Sequence, residues 1–310
     1  NGRVGWMRGI AERAAGYWNA ELPGYGDFLS CRAFAAEECG DYPAAERYGR
    51  AAVDIANTDV WGAHAIAHVL VMQGRIDDGV EWLEGLSGNW ADANQLQHHL
   101  WWHLCLFLLE RGEHERIFTL LTSKIRDPQS PLVQAAPEAT IDIQNVASIL
   151  LRLELRGVAV ADHWQVLADI CSRRVHDHGN AFTNAHDMMV LTATEQFDRA
   201  EEMLESMREF GHSGEGNLGA SYRSAGTALC AAILAHRRRN YTDVITHLSP
   251  VRHDLSLIGG SHAQRDLFYQ LLIDAAHREG RADLVPLYLD DVRRIGFEAV
   301  DERTLYAALH

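Results

Sequence analysis

An all-α fold built from tandem helical hairpins is the class this sequence predicts, on three observations. Apolar residues recur with a helical period from end to end. No run of β-branched alternation is long enough to make a sheet, and prolines number only seven in 310 residues. A turn signature also repeats. Cys39-Gly40-Asp41-Tyr42-Pro43-Ala44-Ala45 is followed 34 residues later by Gln73-Gly74-Arg75-Ile76-Asp77-Asp78-Gly79. Arg111-Gly112-Glu113-His114-Glu115-Arg116-Ile117 comes after a further 38. Weaker echoes stand at Arg239–Val244 and Glu279–Leu284.

In each repeat the glycine supplies a left-handed residue that ends one helix, and the apolar residue after it packs the next helix back. The spacing is that of tetratricopeptide-type hairpins, which bury their apolar faces by stacking on neighbours. The expectation is therefore a TPR-like α-solenoid, a right-handed superhelix of hairpins forming one domain over 1–310. Its hairpins are regular over about 26–125 and degenerate over about 138–309.

Taken in order, the periodicity predicts helices over 4–20, 26–39, 43–55, 59–73, 76–86, 94–111 and 114–125. Pro128, Pro131 and Pro137 then mark a loop. Helices follow over 138–156, 161–177, 183–194 and 197–210, up to a glycine-rich loop at His212–Asn217. The last are 216–237, 241–254, 261–279, 282–295 and 301–309. Ser261 is placed to cap its helix, with Gln264 three residues on to close a capping box.

The formal charge of −15 lacks the basic stripe of a nucleic-acid binder, and Arg237, Arg238 and Arg239 are too few to supply one. Five scattered cysteines, odd in number and without a CxxC, fit reduced thiols better than a disulfide framework. No apolar run approaches the ~18 residues of a membrane span. No signal peptide opens the chain. These features point to a cytoplasmic protein with neither nucleic acid nor membrane as partner. Solenoid ends often pair, so a homodimer is an open expectation.

The strongest chemical pattern lies in residues 59–112. His64 and His68 stand four apart on one expected helix, His99 and His103 four apart on another, with Trp61, Trp101 and Trp102 among them. Residues at i and i+4 share a helix face, so four imidazoles could converge on one ion. No glutamate stands between the histidines of either pair, which excludes the HExxH arrangement of zinc proteases, and carboxylates are sparse nearby in sequence.

Other polar groups are weaker candidates. Gly259-Gly260-Ser261-His262-Ala263-Gln264-Arg265-Asp266 opens a helix where free N–H groups and Arg265 could take an anion. His176-Asp177-His178 and Asn184-Ala185-His186-Asp187 could support acid–base work, although solvated surface roles are the favoured explanation. Asp142 and Asn145 share a helix face, and Arg252 and His253 follow Pro250.

Several of these stretches resemble the tetratricopeptide repeat protein 38 family. The runs are Asp59–His68, His99-Leu100-Trp101-Trp102-His103, Arg152–Val158, Asn184-Ala185-His186, Pro250-Val251-Arg252 and Gly259–Asp266. The resemblance covers about residues 26–280 with the motifs in the same order. Members are longer at the N-terminus, so it implies that this chain lacks several of their first helices. It carries over no activity. It does imply that these matching polar positions serve a shared pocket, because packing alone does not call for so many polar groups.

Two functional readings follow, and a third is a purely structural scaffold. In the first, a concave groove lined by Trp61, His64, His68, His99, Trp102, His103, Asp142, His186, Arg252, His262, Gln264, Arg265 and Asp266 holds a peptide or small anionic ligand. In the second, His64, His68, His99 and His103 hold zinc or iron in a metal-dependent enzyme.

Overall fold

The computed structural model describes residues 4–90 and 92–307. Among them there are helices, turns and no strand, so the all-α expectation holds. Contacts gather these residues into two compact units, 4–137 with 296–307, and 138–295.

The first unit contains α1 (Val4–Ala14), α2 (Tyr25–Glu37), α3 (Tyr42–Ile55), α4 (Val60–Met72), α5 (Ile76–Leu86), α6 (Leu96–Arg111), α7 (His114–Leu120) and α8 (Pro131–Ala135). Each successive pair from α2 to α7 packs together, and α2, α4 and α6 also pack side by side. That arrangement decides what gets buried. Helices α4 and α6 have neighbours all round, and every residue from Gly62 to Leu70 and from Trp102 to Leu109 is buried. Helix α5 buries little beyond Gly79, Val80 and Leu83. A histidine on α4 or α6 is therefore in the core on almost any face.

The second unit contains α9 (Thr140–Leu155), α10 (Ala161–Arg173), α11 (Ala181–Ala193), α12 (Phe197–Ser213), α13 (Gly216–Ser221), α14 (Thr227–Arg237), α15 (Tyr241–Leu248), α16 (His262–Arg278) and α17 (Val285–Arg294). Here α9, α11, α14 and α16 are the inner helices, packed in that sequence, and α10, α12 and α15 lie outside.

One turn recurs through both units. At Gly40, Gly74 and Gly112, φ is 76, 67 and 70°. In each case the next residue donates its N–H back to the carbonyl five residues earlier: Asp41 to Ala36 (2.9 Å), Arg75 to Leu70 (2.9 Å), Glu113 to Leu108 (3.0 Å). This is the Schellman closure that uses up the last helical carbonyls. The same bond forms from Val158 to Leu153, Gln196 to Leu191, Asn240 to Ala235 and Arg281 to Ala276. Glu195 and Arg239 occupy the left-handed position in two of these, with φ of 57 and 58°. Without glycine there, the repeat is faint in sequence.

Starts are capped by side chains. Asp59 accepts from the N–H groups of Trp61 (3.0 Å) and Gly62 (2.9 Å), and Asp41 accepts from Ala44 (3.3 Å). Ser261 and Gln264 close the expected capping box, with Ser261 N–H donating to Gln264 Oε1 at 2.9 Å. Replacing Ser261 by alanine should cost about 1 kcal/mol. Urea unfolding would check this against Ser261→Asp, which keeps the cap.

Three expected helices differ. The one over 4–20 ends at Ala14, with one 3₁₀ turn to Tyr17, and Trp18 is extended (φ −114°, ψ 137°). That backbone lets the Trp18 ring stack on Phe28 at 4.9 Å. The helix over 241–254 stops at Leu248 and tightens into a 3₁₀ run, Ser249–Ile258, as Pro250 enters without an N–H to donate. The helix over 301–309 is a series of turns as far as 307, and 308–309 lie outside the described residues. Its backbone is satisfied by docking instead. Glu298 N–H donates to the Met72 carbonyl (2.8 Å), and Thr304 N–H and Oγ1 donate to Glu110 (2.8 and 2.9 Å).

All five cysteines are free thiols. No helix among the described residues is long and apolar enough to cross a membrane.

Candidate metal centre

The four histidines of α4 and α6 converge. The rings of His64 and His68 lie 4.4 Å apart, those of His68 and His103 4.5 Å, and those of His99 and His103 4.8 Å. His64 is 5.0 Å from His103 and 5.1 Å from His99. One ring nitrogen from each of the four lies within 4.8 Å of the other three. His68 and His103 are fully buried, and His64 and His99 are 4% and 5% exposed. The i,i+4 spacing brings each pair together along its helix, and the side-by-side packing of α4 on α6 brings the pairs together.

The ring walls are set by aromatic neighbours. Trp102 stacks on His99 at 4.7 Å and 10° between planes, and Phe34 of α2 stacks on His64 at 5.5 Å. Trp61 is half exposed and meets His64 edge-on at 5.6 Å. His64 Nε2 and His68 Nε2 share a proton at 2.9 Å. His64 Nδ1 is buried and meets no hydrogen-bond partner. Burial, and then the neighbouring His68 and His99, hold the His64 pKa far below the ordinary value, so the ring is neutral at pH 7. A neutral imidazole with an available lone pair is the ligand form.

The sequence reading missed Glu37 and Glu38. They end α2, whose buried residues otherwise are small or apolar, and they are themselves buried. Glu37 Oε2 lies 3.6 Å from His68 Nδ1. Oxygens of both carboxylates and a His68 nitrogen lie within 4.8 Å of one another. The carboxylates that are sparse near the histidines in sequence thus arrive from the preceding hairpin. Two ionisable residues directly after the apolar run Phe34–Ala36, just ahead of the Gly40 turn, were the available clue.

The remaining candidates fall in the second unit, where local bonds occupy many of them. Arg252 donates to Asp291 Oδ2 (2.7 Å) and the Ser249 carbonyl (2.6 Å). Arg265 donates to the Gly260 and Gly259 carbonyls, and Asp266 accepts from Gln270 Nε2 at 2.6 Å. Gln264 is in the capping box, beside a half-buried His262. Asp142 and Asn145 are buried on α9 above Arg152, whose guanidinium donates to the Ala263 carbonyl at 3.0 Å. His186 donates from Nδ1 to the Phe182 carbonyl at 2.8 Å, and burial pulls its pKa down to about 4. Asp187 is buried against Cys171 and Arg174, and burial raises its pKa to about 6. His176 and His178 are bound to Ser206 at 3.1 and 2.8 Å, and Asn184 bonds Tyr222 and the Asp177 carbonyl. These residues sit in several separate hydrogen-bonded groups, buried for Asp142, Asn145, Asn184, His186, Asp187, Arg265 and Asp266 and exposed for His176.

No protein-family model matches this chain.

Proposed function

We propose that this protein is a metal-binding member of the TPR-like class of α-solenoids, with zinc or ferrous iron held by His64, His68, His99 and His103. The convergence of four buried ring nitrogens carries the reading. Packing alone does not call for it, because ring nitrogens brought this close together repel through their lone pairs unless a proton or a cation lies between them.

Charge balance supports the same reading. A divalent ion on four neutral imidazoles brings +2 into the core, which is costly unless offset. The carboxyl groups of Glu37 and Glu38 stand at the neighbouring position, where they could offset it. Glu37 stands where it would accept the Nδ1–H of His68, so that Nε2 faces the ion. Such a carboxylate–histidine pair fixes the tautomer and raises ligand basicity. Bound at this site, the ion would supply Lewis-acid or redox chemistry, while the chain's own residues set its ligation, charge and exclusion from bulk water.

The solenoid assignment is supported by the seven equivalent Schellman bonds and by the alternation of inner and outer helices in each unit. A peptide or small-anion groove has less support, since the guanidinium groups of Arg252 and Arg265 are engaged within the protein.

Elemental analysis of protein purified without a histidine tag or chelator should find about one transition-metal ion per chain, the stoichiometry of a closed four-ligand site. Glu37→Gln should weaken binding by about 10- to 100-fold while the fold is kept. Metal-free protein that takes up neither zinc nor ferrous iron on titration would overturn the assignment.

A further inference from the structure

A second site lies in the first unit, on the other side of Phe34 from the histidines. There α1, α2 and α4 enclose an open-mouthed cavity of about 540 Å³. Its walls are Met7, Ile10, Trp18, Phe28, Phe34 and Trp61. The volume falls in the range of small-molecule sites, roughly 300–1,000 Å³. Trp18 and Phe28 form a flat stacked wall with their planes 8° apart. Trp61 closes another side and is 53% exposed, unusual for so large an apolar ring.

The few polar groups of the lining are all neutral or negative: Asp27, Ser30 and Cys31. Ser30 Oγ donates to Asp59 Oδ2 at 2.5 Å, and that carboxylate also caps α4. Cys31 is held in the thiol form at neutral pH by burial and by the charges of Asp27 and Asp59. The nearby cation Arg32 is engaged by Glu12 (3.0 Å) and Tyr48 Oη (2.7 Å), with its guanidinium 4.0 Å over the Tyr48 ring and 6.0 Å from the Phe28 ring. An exposed carboxylate, Asp27, thus stands at an apolar pocket without a cation of the lining to balance it.

We propose that this pocket binds a small hydrophobic amine, with its aryl or alkyl body between Trp18, Phe28 and Phe34 and its ammonium group at Asp27. Charge complementarity selects the cation, and the indole faces of Trp18 and Trp61 favour it further. An anion would meet the Asp27 carboxylate and find no compensating donor charge. The pocket shares the Phe34 and Trp61 rings with the surroundings of His64 but none of its polar groups is a proposed metal ligand, so amine binding and metal binding are tested by separate readouts.

Calorimetric titration with 2-naphthylmethylamine, 2-naphthylmethanol and 2-naphthoate tests it, since the three probes share a ring system and differ in charge. The amine should bind about fivefold more tightly than the alcohol, the worth of one partly exposed ion pair, with the carboxylate weakest. Asp27→Asn should bring the amine to the alcohol's affinity and leave the alcohol unchanged. Ala14→Trp, which fills the cavity, should abolish all three in a protein with unaltered circular dichroism. Equal binding of the three probes, amine binding indifferent to Asp27→Asn, or no binding at all would overturn the proposal. So would sedimentation showing a second copy of the chain seated on the pocket and released by Ala14→Trp.

Discussion

Chelating the metal should lower the stability of this protein by about 4 kcal/mol relative to protein in free metal at a thousand times its dissociation constant. The effect should show as a fall in thermal midpoint and as acid unfolding at a higher pH. The stabilisation is that of any ion bound by the folded chain and not by the unfolded one. Acid compounds the loss. His64 has a folded-state pKa far below its unfolded value near 6.5. Below that pH the unfolded chain takes up a proton that the folded core refuses, so stability falls with falling pH. Loaded protein should show the same slope from a higher starting point, and hence a lower acid midpoint. Replacing the pair by apolar residues, His64→Phe with His68→Leu, should flatten the slope and abolish metal uptake together. Circular dichroism during acid titration, with and without chelator, reads both. Coincident midpoints would mean that the histidines do not hold a stabilising ion.

In the second unit two neighbouring buried groups nearly cancel. His186, pulled down to about 4, loses stability as pH falls from about 6.5 to 4. Asp187, next to it in the chain and raised to about 6, does the opposite. Its folded form binds a proton that the unfolded chain, with an ordinary value of 3.8, still lacks, so stability rises as pH falls through 6. Each shift is worth roughly 3 kcal/mol with opposite sign over nearly the same window. His178, held low by burial, and Asp274, where burial is outweighed by bonds to His236 and Arg278, still lose stability in acid. The difference made by chelator and by the paired substitution, not the parent slope alone, therefore reports on the cluster of α4 and α6.

Why the histidine cluster was legible and the carboxylates were not is a matter of range. The HxxxH spacing is local, and helical geometry alone puts each pair on one face. The repeat of turns at Gly74 and Gly112 then makes α4 and α6 equivalent helices, which stack side by side. Glu37 belongs to the equivalent helix one repeat earlier, but its sequence spacing to His68 matches no local rule, so only packing reveals it. The same logic governs the fold. Most turns with glycine at the left-handed position were visible, though the one at Gly157 was passed over, whereas Arg239 left only a weak echo and Glu195 none, because a non-glycine residue accepts the same backbone at some cost. The helix expected over 301–309 failed for a non-local reason too, since Thr304 bonds Glu110, and Glu298 just ahead of it bonds Met72, both of a distant stretch. Polar candidates such as Arg252 looked available because Asp291, the partner that occupies it, lies 39 residues away.

Gly79→Ala should destabilise the protein by about 2 kcal/mol, although helix propensity argues the other way. Within a helix, alanine is favoured over glycine by roughly 1 kcal/mol. Gly79 lies inside α5, with its N–H bonded to the Arg75 carbonyl at 3.0 Å. A Cβ there would overlap the Phe107 ring, standing 2.6 Å from Cε2 and closer still to Cζ and Cε1. Phe107 is fully buried and has nowhere to swing without displacing α6, and overpacking of this kind typically costs 1–3 kcal/mol or more. Packing thus outweighs propensity. Phe107 stands four residues after His103, on the same side of α6, so the displaced ring should move the ligand face as well. The expected result is lost stability in urea unfolding together with weaker metal uptake. Phe107→Leu in the Gly79→Ala background should recover part of both, giving a coupling energy on the order of 1 kcal/mol in the double-mutant cycle. A Gly79→Ala protein more stable than the parent, with metal uptake intact, would show that α5 and α6 can separate without cost, and the site would then be less rigidly held than its packing indicates.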